Sequence, residues 1–272
     1  MIKAIEFPNR EFSTKAELFK HLHENHDKIV SVKSASLKNT DSLKLLPIGN
    51  KVNSIKGVDV PEGSVMAVIN TTKYMDSHND VHLDGIWNKT VKDQQGKIFY
   101  IADHKLELTS IIAFPKDVHM SIQEIAWKDL GADYSGNTEA LIFTVDTSNI
   151  ELDQARKVID KNIDIDHSVR MQYIKYDLAM NSDDAEHKEF KKLWDSTISS
   201  VANKKQAEEQ GYFWAVKEAR VFKEGSMVLA GSNDITPMLT SDKHIEPSDD
   251  THKTEPEDST QNEHESFFKN LS

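Results

Sequence analysis

The chain has 272 residues, enough for one large domain or two small ones, with 38% hydrophobic and 29% charged residues. Its 33 basic against 45 acidic residues give a formal charge of −12, which argues against non-specific nucleic-acid binding, since a phosphate backbone has to be met by a basic stripe. The absence of cysteine removes disulfides, thiolate zinc sites, iron–sulfur clusters and cysteine nucleophiles together, so any nucleophile is oxygen or nitrogen.

The opening MIKAIEFPNREF lacks the basic region and apolar run of a secretory signal, and no apolar stretch approaches the roughly 18 residues of a membrane span. A soluble protein of a reducing compartment, without membrane or nucleic-acid partners, is expected. Thr14-Lys-Ala-Glu17 is a capping-box pattern ahead of Leu18, Leu22 and Ile29 and predicts a first helix. Strand-like runs follow at 28–36, 64–72, 97–102 and 108–114. Ser121-Ile-Gln-Glu124 repeats the capping pattern ahead of Ile125 and Leu130 and predicts a helix that stops at Gly131. A strand at 140–146, a helix at 151–162 and a long strand at 163–178 come next. A polar helix at about 184–209 then carries Phe190, Leu193, Trp194, Ile198 and Val201 on one face, before a last long strand at 212–230. The fold class expected is α+β, a curved β-barrel-like sheet flanked by helices, because the strands outnumber the helices and the long ones have to bend.

Composition breaks near residue 240. Between Ser241 and Ser272 nine acidic residues face three lysines, a net −6. With Ile245 its only aliphatic residue before Phe267, this segment lacks the apolar surface to offset its ordering entropy and reads as a disordered acidic tail beyond a domain of 1–240. Its end, Ser266-Phe-Phe-Lys-Asn-Leu271, reads either as a docking motif or as a frayed terminus.

No phosphate-binding Gly-Lys-Ser/Thr loop, dinucleotide fingerprint, nucleophile elbow or His-Glu-x-x-His helix is present. Three histidine-bearing places remain. His23 and His26 have the spacing of two ligands on one helix face, although a solvated face is the ordinary reading of such a pair. In Asp76-Ser-His-Asn-Asp80-Val-His-Leu-Asp84-Gly85, acids and imidazoles alternate, so in a strand Asp76, His78, Asp80, His82 and Asp84 share one face as a metal-ligand set; in a loop they are turn formers. His104 ends an apolar strand, and Ser168 lies within a long one. Serine becomes nucleophilic only with a neutral imidazole in reach and a third group to orient that imidazole. His167 adjoins Ser168, but successive strand side chains point to opposite faces, which favours His104 as the base. Glu218 and Glu224 share strand parity and are the candidates for the third group.

The succession Asp76-Ser-His-Asn-Asp80-Val-His-Leu-Asp-Gly85-Ile-Trp87, Ala102-Asp-His104, His167-Ser168-Val169, and Phe222-Lys-Glu224-Gly-Ser226-Met-Val228 followed by Asn233 resembles the capsid-maturation (prohead) proteases of tailed bacteriophages, a family related in fold to the herpesvirus assemblins. The resemblance covers about residues 60–240. It implies a serine endopeptidase with Ser168 as nucleophile, His104 as general base and Glu224 as orienting group, Glu218 being the reserve, and it calls for no metal or organic cofactor. The implied substrates and partners are the major capsid protein precursor, a scaffold protein and the protease itself, in the host cytoplasm inside the assembling prohead. Two departures stand out: Arg170 where glycine often follows Ser-Val, and Gly225 where an aliphatic residue is usual. The polar helix at about 184–209 has two readings, a cover for the site or a contact in a homo-oligomer. Two other functions remain in view, a metal-dependent hydrolase using the segment from Asp76 to Asp84, and a non-catalytic capsid-assembly or scaffold protein retaining the fold.

Overall fold

The computed structural model describes residues 1–37, 58–163, 165–229 and 235–240. After a short antiparallel pair, β1 (Ile2–Lys3) and β2 (Glu11–Phe12), the capping pattern at Thr14 acts as expected. The Thr14 side chain accepts from the Glu17 amide at 3.1 Å, while Glu17 reaches back to the Ser13 amide, and α1 (Lys15–Glu24) buries Leu18, Phe19 and Leu22. A break at Asn25 starts α2 (His26–Ala35), so the run at 28–36 is a helix and not a strand; the helical period puts Ile29 and Lys33, four apart, on its buried face. Next come β3 (Ser64–Thr71), β4 (Asp80–His82), α3 (Asn88–Gln94), β5 (Phe99–Ala102) and β6 (Ile111–Ala113).

The helix expected at Ser121 is instead β7 (His119–Ala126), paired along its whole length with β8 (Asn137–Asp146). A four-residue capping pattern loses here to eight residues of ladder. The stop at Gly131 holds for the short 3-10 turn Trp127–Leu130, with Gly131 in the left-handed region at φ 79°. Then follow α4 (Asp153–Asp160), β9 (Asp166–Met180), α5 (Lys188–Thr197), α6 (Lys204–Gln210), β10 (Tyr212–Val228) and β11 (Met238–Thr240). The long helix expected at 184–209 is thus two helices separated by a turn at Ile198–Ser200. Trp194 of α5 packs at a tilt against Phe213, with ring centroids 5.1 Å apart, near the start of β10 and at the opposite end of that strand from Ser226.

The architecture is α+β. The seventeen residues of β10 organise one sheet: β9 runs antiparallel along one edge, while the other edge is shared by β4, parallel beside Trp214–Val216, and β5, parallel beside Glu224–Met227. A second, antiparallel sheet has the order β11-β3-β8-β7. Apolar residues of the two meet in one core that includes Ile69, Tyr100, Phe143, Val169, Met171 and Val221; each large side chain fully buried there contributes about 1.5–3 kcal/mol. Among the described residues no sheet closes on itself, so the barrel is not formed and the curvature is that of two packed sheets. Between β4 and β5 the edge of β10 is covered by α3, whose Thr90 and Gln94 side chains donate to the Ala219 and Val221 carbonyls at 3.1 and 2.9 Å. Among the described residues no helix is long and apolar enough to cross a membrane. The acidic segment 241–272, its apolar end and Asn233 lie outside the described residues.

Candidate active site

The site forms where β5 ends. Ala102 closes the strand, and Asp103 and His104 both take left-handed backbone conformations, φ 52° and 55°. Two successive non-glycine residues there cost about 1–2 kcal/mol each, and hydrogen bonds hold the turn in place. The Asp103 amide donates to the Met227 carbonyl at 2.9 Å, and the His104 amide donates to the Ser226 hydroxyl at 2.8 Å. That hydroxyl in turn donates to the Ile101 carbonyl at 3.2 Å.

So held, the His104 ring points Nδ1 at Glu224 Oε1, 2.8 Å away. A carboxylate only accepts, so the proton is on Nδ1 and the lone pair is on Nε2. The His104 side chain is 9% exposed and Glu224 is fully buried. Nε2 of His104 and Oε2 of Glu224 are buried without a hydrogen-bond partner among the described residues. Arg170 contacts both members of the pair: its Nε lies 3.4 Å from the same Oε1, and Nη2 donates to the His104 carbonyl at 2.8 Å.

Ser168 enters through strand register. It is the direct partner of Ser226 across the β9–β10 ladder, and Ser226 is the partner of Ile101 on β5, so one row runs Ser168, Ser226, Ile101. Paired residues share a face with Cβ atoms roughly 4.5–5.5 Å apart, and Glu224, two residues before Ser226, shares that face too. Val169 and Gly225 point the other way, into the core. Gly225 explains its own departure: a Cβ there would lie 2.5 Å from the Phe143 ring. Upstream, the register steps from Val221 opposite Met171 to Gly225 opposite Val169, four residues on β10 against two on β9. The two extra residues form a bulge with Lys223 at φ 69°, and because two is one full side-chain period, the inward and outward faces keep their phase across it.

The other candidates are placed elsewhere. Glu218 pairs with Lys175 at 2.8 Å and Lys89 at 3.4 Å, which together hold its carboxyl below the usual range, the hydrogen bond from Lys175 being the largest cause. His167 has both nitrogens taken: the Tyr100 hydroxyl donates to Nε2 at 2.8 Å and Nδ1 donates to the Thr236 carbonyl at 2.9 Å; burial lowers its pKa to about 4. The helical pair His23 and His26 is split by the break at Asn25; His23 packs edge-on against His187, and His26 stacks on Trp214.

In the segment from Asp76 to Asp84 only Asp80, Val81 and His82 form strand. Asp76 caps the His78 and Asp80 amides, and Asp84 takes the Thr72 hydroxyl and Lys73. Asp80 holds Lys33 at 2.5 Å and the Tyr173 hydroxyl at 2.9 Å, while His82 donates to Asn70 at 3.0 Å. Among the described residues no three His, Asp or Glu side chains are grouped to hold a metal. Burial, with the charge of Asp80, raises Asp76 to about 7, and burial lowers His82 to about 4.

Comparisons with protein-family models, curated proteins and solved structures find no match. The resemblance to the prohead proteases therefore rests on the motifs themselves. Two contributors were not singled out from sequence for what they do. Ser226 shares parity with Glu224 and could have been placed on the same face by counting. Arg170 was visible only as a departure, because its partners depend on register across three strands.

Proposed function

We propose that this chain is a serine endopeptidase of capsid maturation, with Ser168 as nucleophile, His104 as general base and Glu224 as the group that orients the imidazole. The observation that carries the reading is the 2.8 Å bond from His104 Nδ1 to buried Glu224, which leaves Nε2 without a hydrogen-bond partner among the described residues, while Ser168 is tied to the same turn through register, as the strand partner of Ser226, whose hydroxyl accepts from the His104 amide. The order of roles follows from the tautomer. Nε2 takes the Ser168 proton as Oγ attacks the peptide carbonyl, and Glu224 stabilises the imidazolium so formed. Nε2 then gives that proton to the leaving amine; water repeats the cycle on the acyl-serine, restoring the hydroxyl.

The substrate class, capsid and scaffold precursors together with the chain itself, comes from the family resemblance, as does an assemblin-like relation of the fold. The metal-hydrolase reading draws no comparable support, because the acids from Asp76 to Asp84 are engaged in capping and ion pairs. The test is co-expression with the capsid precursor from the same source. Processing by the wild type that is lost in Ser168→Ala, with the variant still folded, supports the reading; processing unchanged in that variant refutes it. Cleavage lost on chelation but retained in Ser168→Ala selects the metal reading, and correct assembly without cleavage by the wild type selects the non-catalytic one.

A further inference from the structure

We infer that Arg170 is a positioning residue that locks the His104–Glu224 pair; this deepens the serine-peptidase reading and rests on it for its catalytic consequence. Arg170 follows Ser168 by two positions on β9 and so faces the same side, opposite the stretch where β10 carries its two extra residues. From there one guanidinium reaches two acceptors that belong to different parts of the site, the main-chain carbonyl of His104 and the side-chain oxygen of Glu224.

Each contact has a physical task. The turn at Asp103 and His104 is left-handed at both residues and relaxes unless it is tied down. The His104 amide is tied to Ser226 and its carbonyl to Arg170, so both backbone polar groups of the histidine are fixed by side chains on the neighbouring strands. Glu224 is a carboxylate with no exposure and with Oε2 unpartnered among the described residues. A buried carboxylate is costly unless it is paired. The guanidinium beside Oε1 supplies that pairing and holds the oxygen where the ring Nδ1 meets it. A lysine has one point of charge and cannot span both acceptors, whereas the planar fork does.

The test compares wild type, Arg170→Ala and Arg170→Lys by two readouts. One is the covalent labelling of Ser168 by a fluorophosphonate probe, resolved into limiting rate and half-saturating concentration. The other is the downfield proton resonance of the His104 Nδ1–H, assigned by its loss in His104→Gln. Arg170→Ala is expected to lower the limiting rate roughly 100-fold, the scale of a 1 Å misplacement, with half-saturation unchanged. Arg170→Lys recovers only part of the loss, added guanidinium ion restores part of the rate to Arg170→Ala, and the resonance is lost or broadened in both variants. Should the alanine variant unfold, the lysine variant carries the comparison. A limiting rate within threefold of wild type with the resonance intact overturns the inference. Wild type that does not label at all overturns the peptidase reading instead, and the resonance still decides whether Arg170 locks the pair.

Discussion

Gly225 links the packing of the two sheets to the geometry of the site, and replacing it with alanine perturbs both. The added Cβ would lie 2.5 Å from Cε2 and 2.9 Å from Cζ of Phe143, and 3.3 Å from Ile69. An ordinary contact is about 3.5–4.0 Å, so the ring and β10 have to separate by about 1 Å. Phe143 cannot swing clear, because it is fully buried with Tyr100 edge-on against it at 6.2 Å. Overpacking of this kind costs about 1–3 kcal/mol, and the steepness of the clash puts Gly225→Ala at the upper end. Since Glu224 and Ser226 flank the glycine, activity should fall along with stability. Urea unfolding of the variant in wild-type and Phe143→Leu backgrounds isolates the contact. The alanine should cost about 2–3 kcal/mol in the first and under about 1 kcal/mol in the second. Equal costs in the two backgrounds would show that Phe143 is not the reason for the glycine.

Two further perturbations test the buried charges. His82 and His167, both lowered to about 4, are neutral in the folded protein between about pH 4 and 6.5, where the unfolded chain binds their protons, so their contribution to stability rises with pH through that window and is lost as pH falls. Asp76, raised to about 7, has the opposite sign: the folded state keeps its proton from about pH 4 upward while the unfolded chain does not, so its contribution falls as pH rises to 7. The two histidines contribute about 3 kcal/mol each across the window and Asp76 opposes them, so stability should rise from pH 4 to 6.5 by less than the histidines alone would give, with a steeper rise in Asp76→Asn; a flat profile in both proteins contradicts this. Lys33→Met leaves Asp80 buried without its cation and should cost about 3–5 kcal/mol, more than half of it regained when Asp80→Asn is added; no recovery in the double variant would mean that the cost comes from packing.

What the sequence made legible was what repeats over a long stretch. The two long strands that carry Ser168 and Glu224 were expected at 163–178 and 212–230 and run Asp166–Met180 and Tyr212–Val228. The parity rule that separated Ser168 from His167 holds, with His167 turned to Tyr100 and Thr236. Short signals misled. Residues 28–36 hold an apolar cluster that fits period two as well as period 3.6, and burial of Ile29 and Lys33 chose the helix. The capping pattern at Ser121 lies within a strand because pairing with β8 outweighs four residues of local preference. The three residues of β4 are too few to show any period, and they are strand because they run parallel to Trp214–Val216. Around the candidate site, His104 and Ser168 could be named from their types and positions, while residue type and parity left Glu218 and Glu224 both open and the family resemblance favoured Glu224. What separates them in the structure is the bond from His104 to Glu224 and the lysines around Glu218, and the tie from Arg170 depends on a register that steps by two residues on one strand, which no local pattern announces.

The account turns on whether Ser168 is activated by His104, and covalent capture of Ser168 measures that most directly. Purified full-length chain treated with a fluorophosphonate probe and mapped by peptide mass spectrometry should carry the adduct on Ser168. Labelling should be lost in Ser168→Ala and slowed roughly 1,000-fold or more in His104→Gln, the scale on which members of such a unit act together. An adduct on another serine, or Ser168 labelled equally fast without His104, would contradict it.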